Sequence, residues 1–162
     1  MKNIILLILL SAFTVSGQIN NEFQEYLNDL DKKFDVPNIV ADSLIQDQYL
    51  ILDSREKEEY QISHIKNAVW IGYNDFNISI LDSVHHDKEI IVYCSVGYRS
   101  SKIAIELHDN GFKNVYNLYG GIFNWANEGR ELISDQNKTF DLHAYNSHWS
   151  RFITNVEINK IY

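Results

Sequence analysis

The chain has 162 residues, of which 45% are hydrophobic and 13% aromatic, enough for the buried core of one domain of ordinary size. It carries 14 Lys and Arg against 22 Asp and Glu, a net charge of −8, which argues against nucleic-acid binding through a broad basic face. A single cysteine excludes an intramolecular disulfide and a cysteine-rich zinc site.

The N-terminus has the pattern of a secretory signal peptide. Lys2 supplies a positive start, an apolar run extends from Ile4 to Val15, and the small residues Ser16 and Gly17 follow. The run is 12 residues long, whereas a membrane-spanning helix needs roughly 20. The pattern therefore predicts a signal peptide over residues 1–17, export to the periplasm or the medium, and no stable membrane span. The alternative is an N-terminal core helix.

The segment after the predicted signal peptide, residues 18–37, contains an amphipathic pattern. Apolar residues recur at helical spacing from Phe23 to Phe34, and Pro37 follows, so one helix is predicted here. Further on, helical stretches alternate with four short apolar runs, at 49–53, 68–71, 89–93 and 115–118. Runs without polar alternation are typical of strands buried on both faces. The pattern predicts an α/β domain over residues 38–133, with a central, mostly parallel sheet and helices on both faces.

Residues 134–162 form a tail that is richer in polar residues. Trp149, Phe152, Ile153 and Val156 follow a helical spacing, which predicts a helix that docks on the domain. His143 and His148 also lie in the tail, but the sequence supplies no third ligand beside them. No metal site is therefore predicted.

The most informative segment surrounds the single cysteine. Cys94 follows the third apolar run, and a helix begins near Ser100. Such a loop turns backbone N–H groups inward, the helix N-terminus adds a partial positive charge, and Arg99 adds a full one. These features favour the thiolate of Cys94 and suit an anionic substrate. The alternative is a buried, inert cysteine at a strand end.

The loop from Cys94 to Ser100, Cys-Ser-Val-Gly-Tyr-Arg-Ser, resembles the active-site loop of rhodanese-like sulfurtransferases. Motifs similar to the family's flanking signatures occur in the expected order, at 53–55, 59–60, 63–68 and 118–125. Ser63 stands where the family usually has Gly, and Lys66-Asn67 stands where it has Pro-Gly. The resemblance implies a member of this family with its three-layer α/β fold, and the predicted signal peptide makes it a single-domain, exported one.

The residue types and the resemblance together predict roles for individual residues. Cys94 is expected to be the catalytic nucleophile, and Asp53 and Arg55 an ion pair that braces the loop after the first strand. His64 is expected to be structural, and Glu56 and Glu59 are interpreted as a solvated helix face. The substrate-binding loop and anion nest would comprise Ser95, Val96, Gly97, Tyr98, Arg99 and Ser100.

The implied activity is transfer of a sulfane sulfur through a Cys94 persulfide, without a cofactor. The donor would be a small anion such as thiosulfate, and the acceptor cyanide, a small thiol or a protein thiol. A Cys-dependent phosphatase or arsenate reductase is an alternative, but the four residues between Cys94 and Arg99 are one fewer than those phosphatases have. A non-catalytic module that carries sulfur or binds a protein partner is the other alternative.

Overall fold

A five-stranded sheet forms the centre of the protein. The computed structural model describes residues 20–44 and 48–162. All neighbouring strands in the sheet are parallel, and their order is β1-β5-β4-β2-β3. The strands are β1 (Asn38–Ile39), β2 (Leu50–Asp53), β3 (Val69–Trp70), β4 (Glu89–Tyr93) and β5 (Asn114–Leu118). The sequence pattern does not predict β1, because two residues are too few to show a period.

Helices cover both faces of this sheet, as predicted. They are α1 (Asn21–Lys33), α2 (Lys57–Ile62), α3 (Tyr98–Asp109) and α4 (Gly121–Asn127). Side chains of the central strand β4 alternate between the two faces. Ile91 and Tyr93 pack in the cluster that contains α1 and α4, whereas Ile90 and Val92 pack in the cluster that contains α3. The predicted α/β class is confirmed.

Helix α1 is held against the sheet by its apolar face. The Asn20 side chain caps its start by accepting a hydrogen bond from the N–H of Phe23 at 2.7 Å. Phe23, Leu27 and Leu30 are buried, and the Phe23 ring stacks on Phe152 of the tail with centroids 4.6 Å apart. The N-terminal helix and the tail therefore pack against each other.

The tail forms strands and a short turn instead of the predicted helix. An antiparallel pair, β6 (Leu132–Ser134) and β7 (Asn137–Thr139), precedes a parallel pair, β8 (Asp141–His143) and β9 (Asn159–Ile161). Between β8 and β9, one 3-10 turn covers Ser150–Phe152.

The predicted helix through Val156 is wrong, and a polar contact explains why. Asn127 Oδ1 accepts hydrogen bonds from the backbone N–H groups of Thr154 at 2.7 Å and Asn155 at 3.2 Å. In a helix these two N–H groups would bond to carbonyls four residues earlier. The chain therefore leaves the helical path after Phe152, and Val156 is 97% exposed.

The predicted signal peptide, residues 1–17, lies outside the described residues, so export stays a prediction. Within residues 20–44 and 48–162, no helix is long and apolar enough to cross a membrane.

Candidate active site

The end of strand β2 carries a fully buried ion pair. Arg55 donates from Nη2 to Asp53 Oδ2 at 2.7 Å and from Nε to Asp53 Oδ1 at 3.0 Å, and neither side chain is exposed. Asp53 Oδ2 also accepts from the Tyr93 hydroxyl at 2.6 Å. Because Tyr93 directly precedes the cysteine, this ion pair ties the ends of β2 and β4 together.

The upstream turn keeps a defined shape despite its two departures from the family pattern. The carbonyl of Ser63 accepts a 2.6 Å hydrogen bond from Arg55 Nη2. Asn67 adopts the left-handed conformation with φ 64°, which asparagine tolerates better than most residues. His64 is structural here: its ring stacks on Tyr60, and its backbone pairs with Ile133.

The cysteine loop lies between β4 and α3. Cys94 Sγ accepts a hydrogen bond from the N–H of Gly97 at 3.1 Å, and Ser100 Oγ lies 3.5 Å from the same sulfur. Gly97 takes φ 112° as the residue that precedes α3, a conformation that a side chain would strain. The loop therefore curls back on the sulfur and directs an N–H donor to it.

The start of helix α4 fixes the other side of the loop. The N–H of Ile122 donates to the carbonyl of Cys94 at 2.9 Å, and the N–H of Phe123 donates to the carbonyl of Ser95 at 3.1 Å. A Cβ atom on Gly121 would lie 2.4 Å from the Cys94 carbonyl oxygen. A glycine at position 121 is needed so that α4 can approach the loop this closely.

Asn117, which the sequence did not single out, supports Ser100. Ser100 Oγ donates to Asn117 Oδ1 at 2.6 Å, and Asn117 Nδ2 donates to Asn38 Oδ1 at 2.8 Å. Asn117 is buried at the end of β5. A polar residue in an otherwise apolar run could have indicated the role of Asn117, because a buried polar group needs a hydrogen-bond partner.

Glu59 corrects the interpretation of α2 as a solvated helix face. Its side chain is 2% exposed and forms a bidentate ion pair with Arg99, with N–O distances of 2.6 and 2.8 Å. Ser95 Oγ donates to the same carboxylate at 2.9 Å and accepts from Arg99 Nη2 at 3.0 Å. Arg99 therefore directs its guanidinium to Glu59, whose charge offsets its own. Glu59 belongs to the upstream motif, which was the signal for its role.

The Glu59–Arg99 pair stays charged over a wide pH range. Burial alone would raise the pKa of Glu59, but the hydrogen bonds and charge of Arg99 outweigh it and lower this pKa to about 2. Burial also opposes the charge of Arg99, yet Glu59, followed by Cys94, raises the pKa of Arg99 above its ordinary value. The charged Glu59 carboxylate thus binds Arg99 and holds the cysteine loop against α2 at neutral pH.

We expect this pair to make stability depend on pH. The pKa of Glu59 falls from 4.5 to about 2 on folding, so its contribution is complete above pH 4.5 and is lost as the pH falls towards 2. The shift corresponds to roughly 3 kcal/mol. Urea unfolding of the wild type and Glu59→Gln at pH 6, 4 and 3 measures this contribution. The difference in unfolding free energy should shrink as the pH falls, and a difference that is equal at all three pH values contradicts the expectation.

A pocket of about 460 Å³ opens above the cysteine loop. Cys94, Ser95, Val96, Tyr98 and Arg99 line it from the loop side, and Cys94 is only 1% exposed. The sulfur therefore lies at the base of the pocket, where a substrate must enter to reach it.

The opposite walls of the pocket come from α1 and the tail. Helix α1 contributes Tyr26, Asp29, Leu30 and Lys33, and the tail contributes Tyr145 and Trp149. The sequence did not indicate these walls, because α1 and the tail are far from the cysteine along the chain.

Aromatic contacts hold these walls in place. The Tyr26 and Trp149 rings meet edge to face with centroids 5.2 Å apart, and the Arg99 guanidinium lies 5.5 Å from the Tyr145 ring centre. Tyr98 borders the pocket between Lys33 and Lys102, whose ammonium groups lie 5.0 and 5.2 Å from the centre of its ring. Tyr98 therefore forms part of the pocket wall.

No metal-binding cluster occurs in the part of the chain that the structure describes. There, no three His, Cys, Asp or Glu side chains come close enough together to hold a metal ion. The predicted lack of a metal, a statement about the whole chain, stays a prediction.

Comparison with protein families places the site in a known context. The model of the rhodanese-like domain matches residues 36–128, more than half of the chain. The match includes the cysteine loop, the Asp53–Arg55 pair and Glu59. It leaves out α1 and the residues after 128, which build the outer walls of the pocket.

Curated relatives match part of the chain. The chain is 37% identical over 87 residues to a tRNA uridine(34) hydroxylase of Yersinia pestis, a match that covers 51% of this chain and 24% of that protein. The chain thus spans about a quarter of the length of the curated relatives it matches.

Solved structures show the same fold. A Bacillus halodurans protein superposes with a TM-score of 0.55 at 27% identity, covering 70% of this chain and 87% of that one. A rhodanese-like domain protein of Staphylococcus aureus gives 0.53 at 28% identity, over 62% and 99% of the two chains. A thiosulfate sulfurtransferase of Pseudomonas aeruginosa gives 0.57 at 18% identity, covering 84% of this chain and 27% of that one. This last likeness shows the fold alone.

Proposed function

Because the chain belongs to the rhodanese-like domain family, we propose that it is a sulfurtransferase that carries a sulfane sulfur on Cys94 as a persulfide. The observation that carries this proposal is the position of Cys94 Sγ. The sulfur lies at the base of a pocket, in a curled loop, and accepts the Gly97 N–H at 3.1 Å. Hydrogen bonds of this kind stabilise a negatively charged sulfur.

The first half of the reaction loads the cysteine. The Cys94 thiolate attacks the outer sulfur of a donor such as thiosulfate, and a new S–S bond forms to Sγ. The S–S bond within thiosulfate breaks, and its electron pair leaves with sulfite. Backbone N–H groups in the first turn of α3 have no acceptor inside the helix and can bind the donor's oxygens.

The second half of the reaction removes the outer sulfur from Cys94. Cyanide or a thiolate attacks the outer sulfur of the persulfide, the S–S bond breaks, and the electron pair returns to Cys94 Sγ. This is covalent catalysis in two steps through an enzyme-bound intermediate. Neither half needs a cofactor, because cysteine itself carries the transferred atom.

The remaining loop residues act by holding this arrangement. Ser95 and Arg99 are bound to Glu59, and Ser100 is bound to Asn117. These contacts fix the loop from α2 and from β5. Rigid support of this kind keeps the Gly97 N–H aimed at the sulfur during both steps.

A phosphatase or arsenate reductase is disfavoured by the same contacts. Its arginine would have to bind the oxygens of a tetrahedral anion, whereas Arg99 forms a bidentate ion pair with Glu59. The loop from Cys94 to Arg99, one residue shorter than in Cys-dependent phosphatases, also disfavours this activity.

Hydroxylation of a tRNA uridine, the activity in the name of the Yersinia relatives, has weaker support. The shared region covers only 24% of those proteins. The net charge of −8 also disfavours binding of a polyanion.

Mass spectrometry of the intact protein tests the proposal. After incubation with thiosulfate, the protein should gain about 32 Da, one sulfur atom, and peptide mapping should place the sulfur on Cys94. Cyanide should remove the added mass and release thiocyanate. Protein alkylated with iodoacetamide beforehand is the control and should gain nothing. Unchanged mass after thiosulfate, with Cys94 free to alkylate, would contradict the proposal. A partner protein that binds wild type and Cys94→Ser equally would favour a non-catalytic module instead.

A further inference from the structure

The pocket above Cys94 is much larger than the small anions of the sulfurtransferase reaction require. Its volume is about 460 Å³, within the range of sites that hold drug-sized ligands. An apolar cavity of about 150 Å³ is already enough for a benzene ring. The pocket can therefore hold a ring-sized group beside the reacting sulfur.

The walls of the pocket are mainly apolar and aromatic. Leu30 and Val96 present aliphatic surface, and Tyr26, Tyr98 and Trp149 present ring faces or edges. Burial, with contributions from Cys94 and Tyr98, raises the pKa of Tyr26 well above its ordinary value, so its phenol stays neutral. An apolar group placed here would gain the free energy of leaving water.

The charges that line the pocket nearly cancel. Asp29 and Lys33 stand at the α1 side with opposite charges, and the charge of Arg99 is offset by Glu59. Among the described residues, the lining therefore has no surplus of positive charge to draw in a large anion. A ligand whose bulk is uncharged fits this environment better.

The walls that give the pocket this character lie outside the family domain. The family match covers residues 36–128, whereas α1 precedes it and Trp149 follows it. Both segments are fixed to each other: Phe23 stacks on Phe152, and Arg151 Nε donates to Glu22 Oε1 at 2.9 Å. These contacts hold the two outer walls of the pocket against each other.

From these observations we infer that the sulfur acceptor is an organic thiol that carries an uncharged, ring-sized apolar group. This inference rests on the proposed sulfurtransferase function and identifies the class of acceptor for the same site. The acceptor thiol loses its proton to solvent, and its thiolate attacks the outer sulfur of the Cys94 persulfide. The persulfide S–S bond breaks, its electron pair returns to Cys94 Sγ, and the product is an organic persulfide. The apolar group meanwhile occupies the pocket that Tyr26, Leu30 and Trp149 line.

The test compares three acceptors on protein that thiosulfate has loaded. Phenylmethanethiol and 2-mercaptoethanol are both alkane thiols, but only the first carries a ring, and cyanide is the small reference acceptor. We expect kcat/KM for phenylmethanethiol to exceed that for 2-mercaptoethanol by roughly tenfold to a hundredfold, as burial of a ring would give. Equal values, with cyanide turnover present, overturn this inference and leave the sulfurtransferase function standing. Failure to load Cys94 or to unload it with cyanide overturns both.

Two variants locate the preference in the pocket. Trp149→Ala removes a wall and should reduce the preference for phenylmethanethiol by roughly fivefold. Tyr162→Ala is the matched control, because this tail tyrosine is 68% exposed and lies outside the pocket lining, and it should keep the wild-type preference. An unchanged preference in folded Trp149→Ala contradicts the inference.

A measurement on the wild type covers the case in which Trp149→Ala does not fold. Toluene has the ring of phenylmethanethiol but no thiol. It should raise KM for phenylmethanethiol and leave kcat unchanged, since both would occupy the same space. Transfer to phenylmethanethiol that toluene does not affect overturns the inference.

Discussion

Cys94→Ser is expected to abolish sulfur transfer, with a loss of at least about a thousandfold, because the nucleophile that forms the covalent intermediate is removed. Cys94 is the only cysteine in the chain, so no second thiol can take over. The thiosulfate-dependent formation of thiocyanate from cyanide measures the loss.

The same variant should keep its fold. Serine is close in size, and its hydroxyl oxygen can accept the Gly97 N–H that Sγ accepts in the wild type at 3.1 Å. We expect the free energy of unfolding to change by no more than about 1 kcal/mol. Thermal unfolding followed by circular dichroism is the control. A folded Cys94→Ser protein that still produces thiocyanate would contradict the role of Cys94.

Asp53→Asn is expected to cause the largest loss of stability, roughly 3–5 kcal/mol, because it leaves the Arg55 charge buried without its partner. Asp53 accepts hydrogen bonds from three donor groups of Arg55, including its backbone N–H, and from the Tyr93 hydroxyl. The substituted side chain has an NH2 group in place of one carboxylate oxygen. This hydrogen-bond donor would face the donor groups of Arg55 and Tyr93. Urea unfolding with an unchanged m-value measures the loss.

Asp87→Asn provides the matched control for this prediction. Asp87 pairs with Lys113 at 2.8 Å, but both side chains are more than half exposed. Exposed pairs contribute little to stability because solvent screens the charges, so this variant should unfold close to the wild type. Similar, small losses of stability in both variants would contradict the expectation that the buried Asp53–Arg55 pair stabilises the fold more than an exposed pair does.

Strands β2 to β5 and the helices around the sheet could be predicted from the sequence because they depend on local patterns. Short apolar runs reflect strands buried on both faces, and the spacing of Ile103, Ala104 and Leu107 reflects one helix face. The cysteine loop could be predicted for the same reason: Cys94, Gly97 and Ser100 are close in sequence, and hydrogen bonds within the loop join them.

The tail shows where local spacing fails. Trp149, Phe152 and Ile153 have helical spacing, and two of them are buried. The helix does not form because Asn127 accepts the backbone N–H groups of Thr154 and Asn155. A hydrogen bond from a distant element has no sequence pattern, so the prediction could not include it.

By itself, the sequence of this protein determined the α/β class, the family and the cysteine loop, all of which follow from residues close together along the chain. Only the tertiary structure decided that Glu59 holds Arg99 across 40 positions and that Tyr26 and Trp149 close a pocket over Cys94. The physical reason is that apolar spacing reveals which side of a helix is buried but not what lies opposite it. The partner of a buried charge, and the shape of the space above a reactive sulfur, are set when distant segments pack together.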